Sequence, residues 1–272
     1  MSPRAALVAN SLELALVFVG LVLLWPLAIS RGARVRRSSQ PSPLGPWDAQ
    51  VSEFLLFLWI VICGGIAGQF GVSFFLKGRS DDAKLILANA ALEFGMLAGI
   101  AIFRFGFARD RPKLEFAPLR SLASGAVTFL VAMPVVIGTG LVWQSLLTAA
   151  GLPIEPQDMI GRLANAESPK LLVAMITLAT VTAPITEELI FRAGFFRYAR
   201  TRLPRWAALL APACLFAALH QSLSTFAPLV ALGIVFSIAY ERTGRIGTSI
   251  VAHGLFNAHT VALIFIDPSN VH

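Results

Sequence analysis

Charge is scarce in this chain: only 14% of its 272 residues are Asp, Glu, Lys or Arg, while 56% are hydrophobic and the mean hydropathy is +0.73. Soluble globular domains carry about 25% charged residues, so that class is excluded and an integral membrane protein is implied. Cysteine is nearly absent. Cys63 and Cys214 both fall inside apolar runs and form no CxxC or zinc-type pair, which excludes a disulfide framework and a thiolate metal site. Both read as small core hydrophobes. HExxH, GxSxG and any catalytic-cysteine context are missing as well, which removes the commonest soluble hydrolase signatures. There is no fixed-period repeat, and Ser38 to Pro46 is a short Ser/Pro-rich stretch expected to be extended.

What is abundant is apolar sequence in long runs. These extend from Leu12 to Ile29, Phe54 to Leu76, Leu85 to Phe103, Leu122 to Leu147, Leu171 to Phe191, Trp206 to His220, Phe226 to Tyr240 and Ile246 to Ile266. Most approach the roughly 20 residues a spanning helix needs, and the sixth and seventh are short. The expectation is an all-α polytopic transmembrane bundle of about eight helices, one membrane domain over 1–272. Within it, 1–150 holds four N-terminal helices of generic character and 168–266 the part that carries chemistry.

The excess of base would suggest nucleic acid in a soluble protein, but its placement argues against that partner. Of 22 Lys and Arg, 15 lie in alternate loops: Arg31, Arg34, Arg36 and Arg37; Arg104, Arg109, Arg111, Lys113 and Arg120; Arg197, Arg200, Arg202 and Arg205; Arg242 and Arg245. The termini and other loops hold Arg4, Lys77, Arg79, Lys84, Arg162 and Lys170. By the positive-inside rule the basic loops are cytoplasmic and both termini outside. The first run reads as a retained anchor, because Glu13 interrupts its start and the Arg cluster follows it.

Few strongly polar residues remain at membrane depth: Gln69, Asn89, Glu93, Glu187, Glu188, His220, His253 and Asn257. Intramembrane ionisable groups cost several kcal/mol and are functional candidates by default. Ser168 and Pro169 read as an N-cap and first turn. The helix they open meets Pro184, which removes one hydrogen bond and pushes on the carbonyl of Thr180, so it should kink or loosen one turn before the two glutamates. Irregular backbone at that depth lines protein or a watery cavity. Glu188 and Arg192, four apart with the acid first, are spaced as a helical ion pair. Glu187 points about 100° away and lacks that partner. The alternative is a purely structural ion-pair cluster.

Phe216 and His220 share a helix face at i and i+4, and so do His253 and Asn257. Counting about 1.5 Å per residue from the nearest arginines lets Glu187, His220 and His253 meet near mid-membrane. A carboxylate, two histidines and an amide suit water-dependent acyl transfer. Alternatively, each histidine or amide serves an interhelical hydrogen bond of about 1 kcal/mol. Glu93 and Asn89 are read in the same way, as an ordinary interhelical contact in preference to part of a site. His259 and His272 are left outside the site.

EExxxR at Glu187 to Arg192, FxxxH at Phe216 to His220 and HxxxN at His253 to Asn257 resemble, in order and spacing, the CPBP family. That family comprises CAAX prenyl proteases of the Ras-converting type and bacteriocin-processing or Abi-type membrane proteins. The resemblance covers about Ser168 to Ile266. It implies an intramembrane endopeptidase in which Glu187 activates water, His220 and His253 complete the site and Asn257 stabilises the oxyanion. Glu188, Arg192 and Phe216 then support it structurally. It leaves open a divalent metal such as zinc on Glu187, His220 and His253, or no metal at all.

The expected substrate is a membrane-associated peptide or protein. No feature outside the motifs marks a prenyl-cysteine pocket, and the Ala/Arg-rich composition fits a bacterial inner membrane, where prenylated substrates are not expected. Two other readings compete: a non-catalytic membrane protein acting in bacteriocin immunity or binding, and a proton-coupled transporter using Glu93, Glu187 and the histidines. The halves lack the matching interrupted helices the last would favour.

Overall fold

The computed structural model describes residues 3–109, 113–154 and 168–266. Arg111, Arg162 and His272 lie outside them. Among the described residues there is no strand, only an isolated bridge between Glu115 and Arg245. Nine helices make up the rest: α1 Pro3–Leu24, α2 Arg31–Ser39, α3 Val51–Ser73, α4 Asp81–Ile102, α5 Pro118–Ala149, α6 Pro169–Ala199, α7 Arg205–Leu219, α8 Phe226–Thr243 and α9 Ile246–Ile266. Seven are long and apolar enough to cross a membrane, while α7, at 15 residues, is the short apolar one. In the most apolar window of each span only 6–33% of residues are buried. Most of the apolar surface therefore faces outward, as lipid requires and water forbids.

Packing follows the small residues. A Cβ added to Gly64 of α3 would lie 2.3 Å from the carbonyl oxygen of Gly95 on α4, so only glycine permits this approach. Ala91, Gly95 and Gly99 thus press α4 against α3. The other side of α4 begins with Ile86, which packs with Met175 of α6 and with Val261 and Ile264 of α9. Helix α9 runs through the middle of the bundle, packed on α5, α6 and α8. Ser124 of α5 and Thr248 of α9 join across that contact at 2.7 Å.

The expected N-cap at Ser168 is not made. Its backbone is extended and Pro169 follows it as the first helical residue, but its side chain caps nothing. Ser80 does cap α4, accepting from the Ala83 N–H at 3.4 Å.

The basic loops gather at one end of the bundle. Arg197 donates to the carbonyls of Gly45 and Lys113, Arg200 to Leu44, and Arg202 to Trp47 and Ala49. The stretch between α2 and α3 is thereby held as a strap, with Trp47 buried against Phe54, Phe57, Phe103 and Tyr198. Arg205 pairs with Glu241 at 2.8 Å at the same end.

Candidate active site

Helix α6 loosens to π-helical winding twice. It is α-helical over Pro169–Thr177, π-helical over Leu178–Thr182, α-helical over Ala183–Glu188 and π-helical again over Leu189–Phe196. The first loosening ends with Ala183 N–H bonding to the Leu178 carbonyl, five residues back. The next donor in that register would be residue 184, but Pro184 has no N–H. The carbonyl of Ala179 is therefore left without a helical donor, and Asn257 of α9 supplies one from Nδ2 at 2.7 Å. One turn earlier on α9, Gly254 sits so close that an added Cβ would be 2.7 Å from the Thr180 carbonyl oxygen. The loosening expected before the glutamates is present, and α9 docks into it.

That docking sets His253 beside both acids. Its Nδ1 lies 2.9 Å from Glu188 Oε1 and its Nε2 3.5 Å from Glu187 Oε2. Glu188 Oε1 also meets Arg192 at 2.9 Å, the ion pair expected from the spacing. Glu187 is thus not without a partner, as helix geometry alone suggested: the partner comes from another helix. The two acids differ in access. The Glu188 side chain is 0% exposed and that of Glu187 is 23% exposed, so of the two only Glu187 is accessible.

Arg192 is 1% exposed and lies over the rings of Phe216 at 4.8 Å and Phe236 at 5.4 Å. A guanidinium in such a place is held by its carboxylate and by the ring faces together. Phe236 was not singled out in the sequence, where it is one of 20 phenylalanines. It also packs against His253, ring to ring at 5.4 Å.

His220 stands at the end of α7. Its Nδ1 is 2.8 Å from the carbonyl of Phe216, and the two rings meet edge-on at 4.7 Å. Phe216 reaches His253 at 5.9 Å and Phe191 at 5.4 Å, so it is the hub through which His220 joins the cluster. Gln221 follows with φ +52°, a left-handed residue that turns the chain sharply away.

Glu93 also arrives here. From α4 it interacts with the Thr186 side chain and acts electrostatically on Glu187, and its Oε2 is buried with no hydrogen-bond partner. The sequence carries a signal for this: Ile86, Asn89 and Glu93 form one helical stripe, and Ile86 is packed on α6 and α9.

Among the described residues no three His, Cys, Asp or Glu side chains converge on a point that would hold a metal ion. Both nitrogens of His253 face carboxylates, and Nδ1 of His220 faces a backbone carbonyl. The set Glu187, His220 and His253 does not fit a three-ligand zinc site as arranged.

Residues 169–259 match the family described as Type II CAAX prenyl endopeptidase Rce1-like. An Escherichia coli relative, "Uncharacterized 24.3 kDa protein", is 30% identical over 203 residues, covering 69% of this chain and 91% of that one. "Putative membrane peptidase YdiL" of Bacillus subtilis (strain 168) is 32% identical over 89 residues, 33% of this chain and 36% of its own length. "UPF0177 protein YbdI" of Lactococcus lactis subsp. lactis (strain IL1403) is 33% identical over 89 residues, 32% of this chain and 46% of its own. No solved structure matches at comparable significance. Fold and site define an all-α polytopic membrane protein whose polar groups converge from separate helices. The chain belongs to the CPBP family, of the Rce1-like type, and is in general terms a membrane protease.

Proposed function

We propose that this protein is an intramembrane endopeptidase that cleaves a membrane-associated peptide or protein, with Glu187 as the base that activates water. The observation that carries this reading is the asymmetry of the acid pair: Glu188 is sealed in with Arg192 and His253, while Glu187 touches His253 and is open.

In the first step Glu187 takes a proton from water as the water oxygen bonds to the scissile carbonyl carbon. The carbonyl electrons move onto oxygen, and the oxyanion is met by an amide donor. Asn257 has two N–H groups on Nδ2, and one is committed to Ala179. The second is the donor assigned to the oxyanion. In the next step the tetrahedral centre collapses, the C–N bond breaks, and the proton held by Glu187 passes to the leaving nitrogen.

His253 governs where that proton rests. A neutral imidazole donates from one nitrogen only, yet this ring faces a carboxylate on each side. The unit of Glu187, His253 and Glu188 is therefore satisfied when it holds one proton beyond the neutral ring. His220, fixed through Nδ1, presents its other nitrogen for the water or carbonyl. No step is routed through a metal.

The alternative, a non-catalytic member of the same fold acting in immunity or binding, would keep the same buried cluster for structure. The two separate in one experiment. Membrane proteins from cells carrying the wild-type chain or Glu187→Gln are labelled at their free N-termini and compared. New termini present only with the wild type support cleavage, and identical profiles overturn it.

A further inference from the structure

Glu93 is a half-buried acid, with its Oε2 fully buried, that the glutamate mechanism does not use. Helix α4 is pressed against α3 through Ala91, Gly95 and Gly99, which fixes its rotation. Glu93 lies two residues from both Ala91 and Gly95, about 200° round the helix, and so on the side turned from α3. The same stripe carries Asn89 and Ile86, and Ile86 packs into the junction of α6 and α9. Glu93 continues it to Thr186, the fully buried residue next to Glu187. Thr186 is itself tied back by its hydroxyl to the Thr182 carbonyl at 3.0 Å, within the loosened turn of α6.

A buried carboxyl oxygen without a partner carries a desolvation cost, and Glu93 Oε2 is such an atom. A structural contact alone would be served as well by Gln, whose amide can donate and accept without charge. What an acid adds at this point is a like charge near Glu187, whose other charged neighbours are His253, Glu188 and Arg192. Repulsion from Glu93 favours the Glu187 rotamer that meets His253; the Thr186 hydroxyl has a single hydrogen, already given to the Thr182 carbonyl, so Glu93 acts on this turn by its charge.

We propose that Glu93 is a positioning residue for Glu187, acting from α4 through its charge. It belongs to the N-terminal half of the chain, outside the matched residues 169–259, so the first four helices supply more than a generic scaffold. This inference rests on Glu187 being the base.

The test uses full-length protein in liposomes with two quenched fluorogenic peptides, one anchored by a farnesyl-cysteine and one by a transmembrane segment. Wild type is compared with Glu187→Gln, Glu93→Gln, Glu93→Asp, and Glu13→Gln as a carboxyl removed elsewhere in the membrane. Glu93→Gln is expected to lower kcat about tenfold with KM within about twofold, which marks loss of alignment in the reacting state. Glu93→Asp restores part of it. Glu13→Gln behaves as wild type. Equal turnover by wild type and Glu187→Gln on both peptides overturns the endopeptidase reading itself. Wild type exceeding Glu187→Gln while Glu93→Gln matches wild type, or changes KM alone, overturns only the role of Glu93. A Glu93→Asp variant no better than Glu93→Gln also overturns it.

Discussion

Asn257 donates its side-chain amide to the carbonyl that Pro184 leaves without a helical partner, and so fastens α9 to α6 beside the acid pair. Two functions meet in one amide: one hydrogen for the fold, the other for the reaction. Asn257→Ala should therefore lower thermal stability by about 1 kcal/mol, the usual worth of an interhelical bond, and reduce turnover on the order of 100-fold, the usual cost of an oxyanion donor. Calorimetry beside peptide cleavage measures both. A stability loss with turnover unchanged would assign Asn257 to docking only.

The acid pair should separate cleanly into kinetics and stability. Glu187→Gln keeps shape and is partly exposed, so the fold is expected to hold within about 0.5 kcal/mol while turnover falls on the order of 100-fold or more. Glu188→Gln strips the buried Arg192 of its counter-charge, an effect of about 3–5 kcal/mol. The variant should express poorly or unfold early. Thermal unfolding in detergent beside cleavage rates checks the split. Similar stabilities for both variants would contradict it.

Much of this was legible before the structure, because the physics involved is local. Helix count follows from apolar run length, the Glu188–Arg192 pair from i,i+4 spacing, and the loosened turn before Glu187 from Pro184. What was missed depends on which face meets which. The sequence lets Glu187 and His253 meet, but that His253 stands between both acids with one nitrogen toward each depends on how α9 seats on α6. For Asn257 the sequence leaves both an oxyanion donor and an interhelical hydrogen bond open, and no rule of spacing reveals that the partner of that bond is the Ala179 carbonyl. Arg197, Arg200 and Arg202 were read by side of the membrane alone, yet they also tie down the strap before α3. Phe236 carried no sequence signal; its value lies wholly in standing over Arg192 and His253.

Arg192→Lys should be costly although it keeps the charge. The guanidinium stands over both Phe216 and Phe236 while reaching Glu188, and an ammonium on a flexible stem cannot do all three. A loss of about 1–3 kcal/mol is expected, read by thermal unfolding of the purified protein. Stability equal to wild type would show that the rings contribute nothing.

Activity of the purified protein is expected to survive chelation. The side chains of Glu187, His220 and His253 do not converge on a common point, and both His253 nitrogens already face carboxylates. Elemental analysis by mass spectrometry, with turnover measured before and after dialysis against a chelator, decides this. Stoichiometric zinc whose removal abolishes turnover and whose return restores it would replace the glutamate mechanism with a metal one.

The closest backbone approach at the site offers the sharpest structural test. A methyl on Gly254 would lie 2.7 Å from the Thr180 carbonyl oxygen, and a carbonyl inside a helix cannot swing aside. Gly254→Ala must then push α9 off α6, carrying His253 and Asn257 on either side of it away from Glu188 and Ala179. Overpacking of this kind costs about 1–3 kcal/mol, and misplacing catalytic groups by about 1 Å can cost on the order of 100-fold in rate. Gly138→Ala is the matched control: it too lies mid-helix, nothing stands within 4 Å of an added Cβ, and alanine is the better helix former by up to about 1 kcal/mol. Stability should drop for Gly254→Ala and hold or rise for Gly138→Ala, with turnover lost only in the first. Equal turnover in both would show that the seat of α9 on the loosened turn of α6 does not set the geometry of the acids.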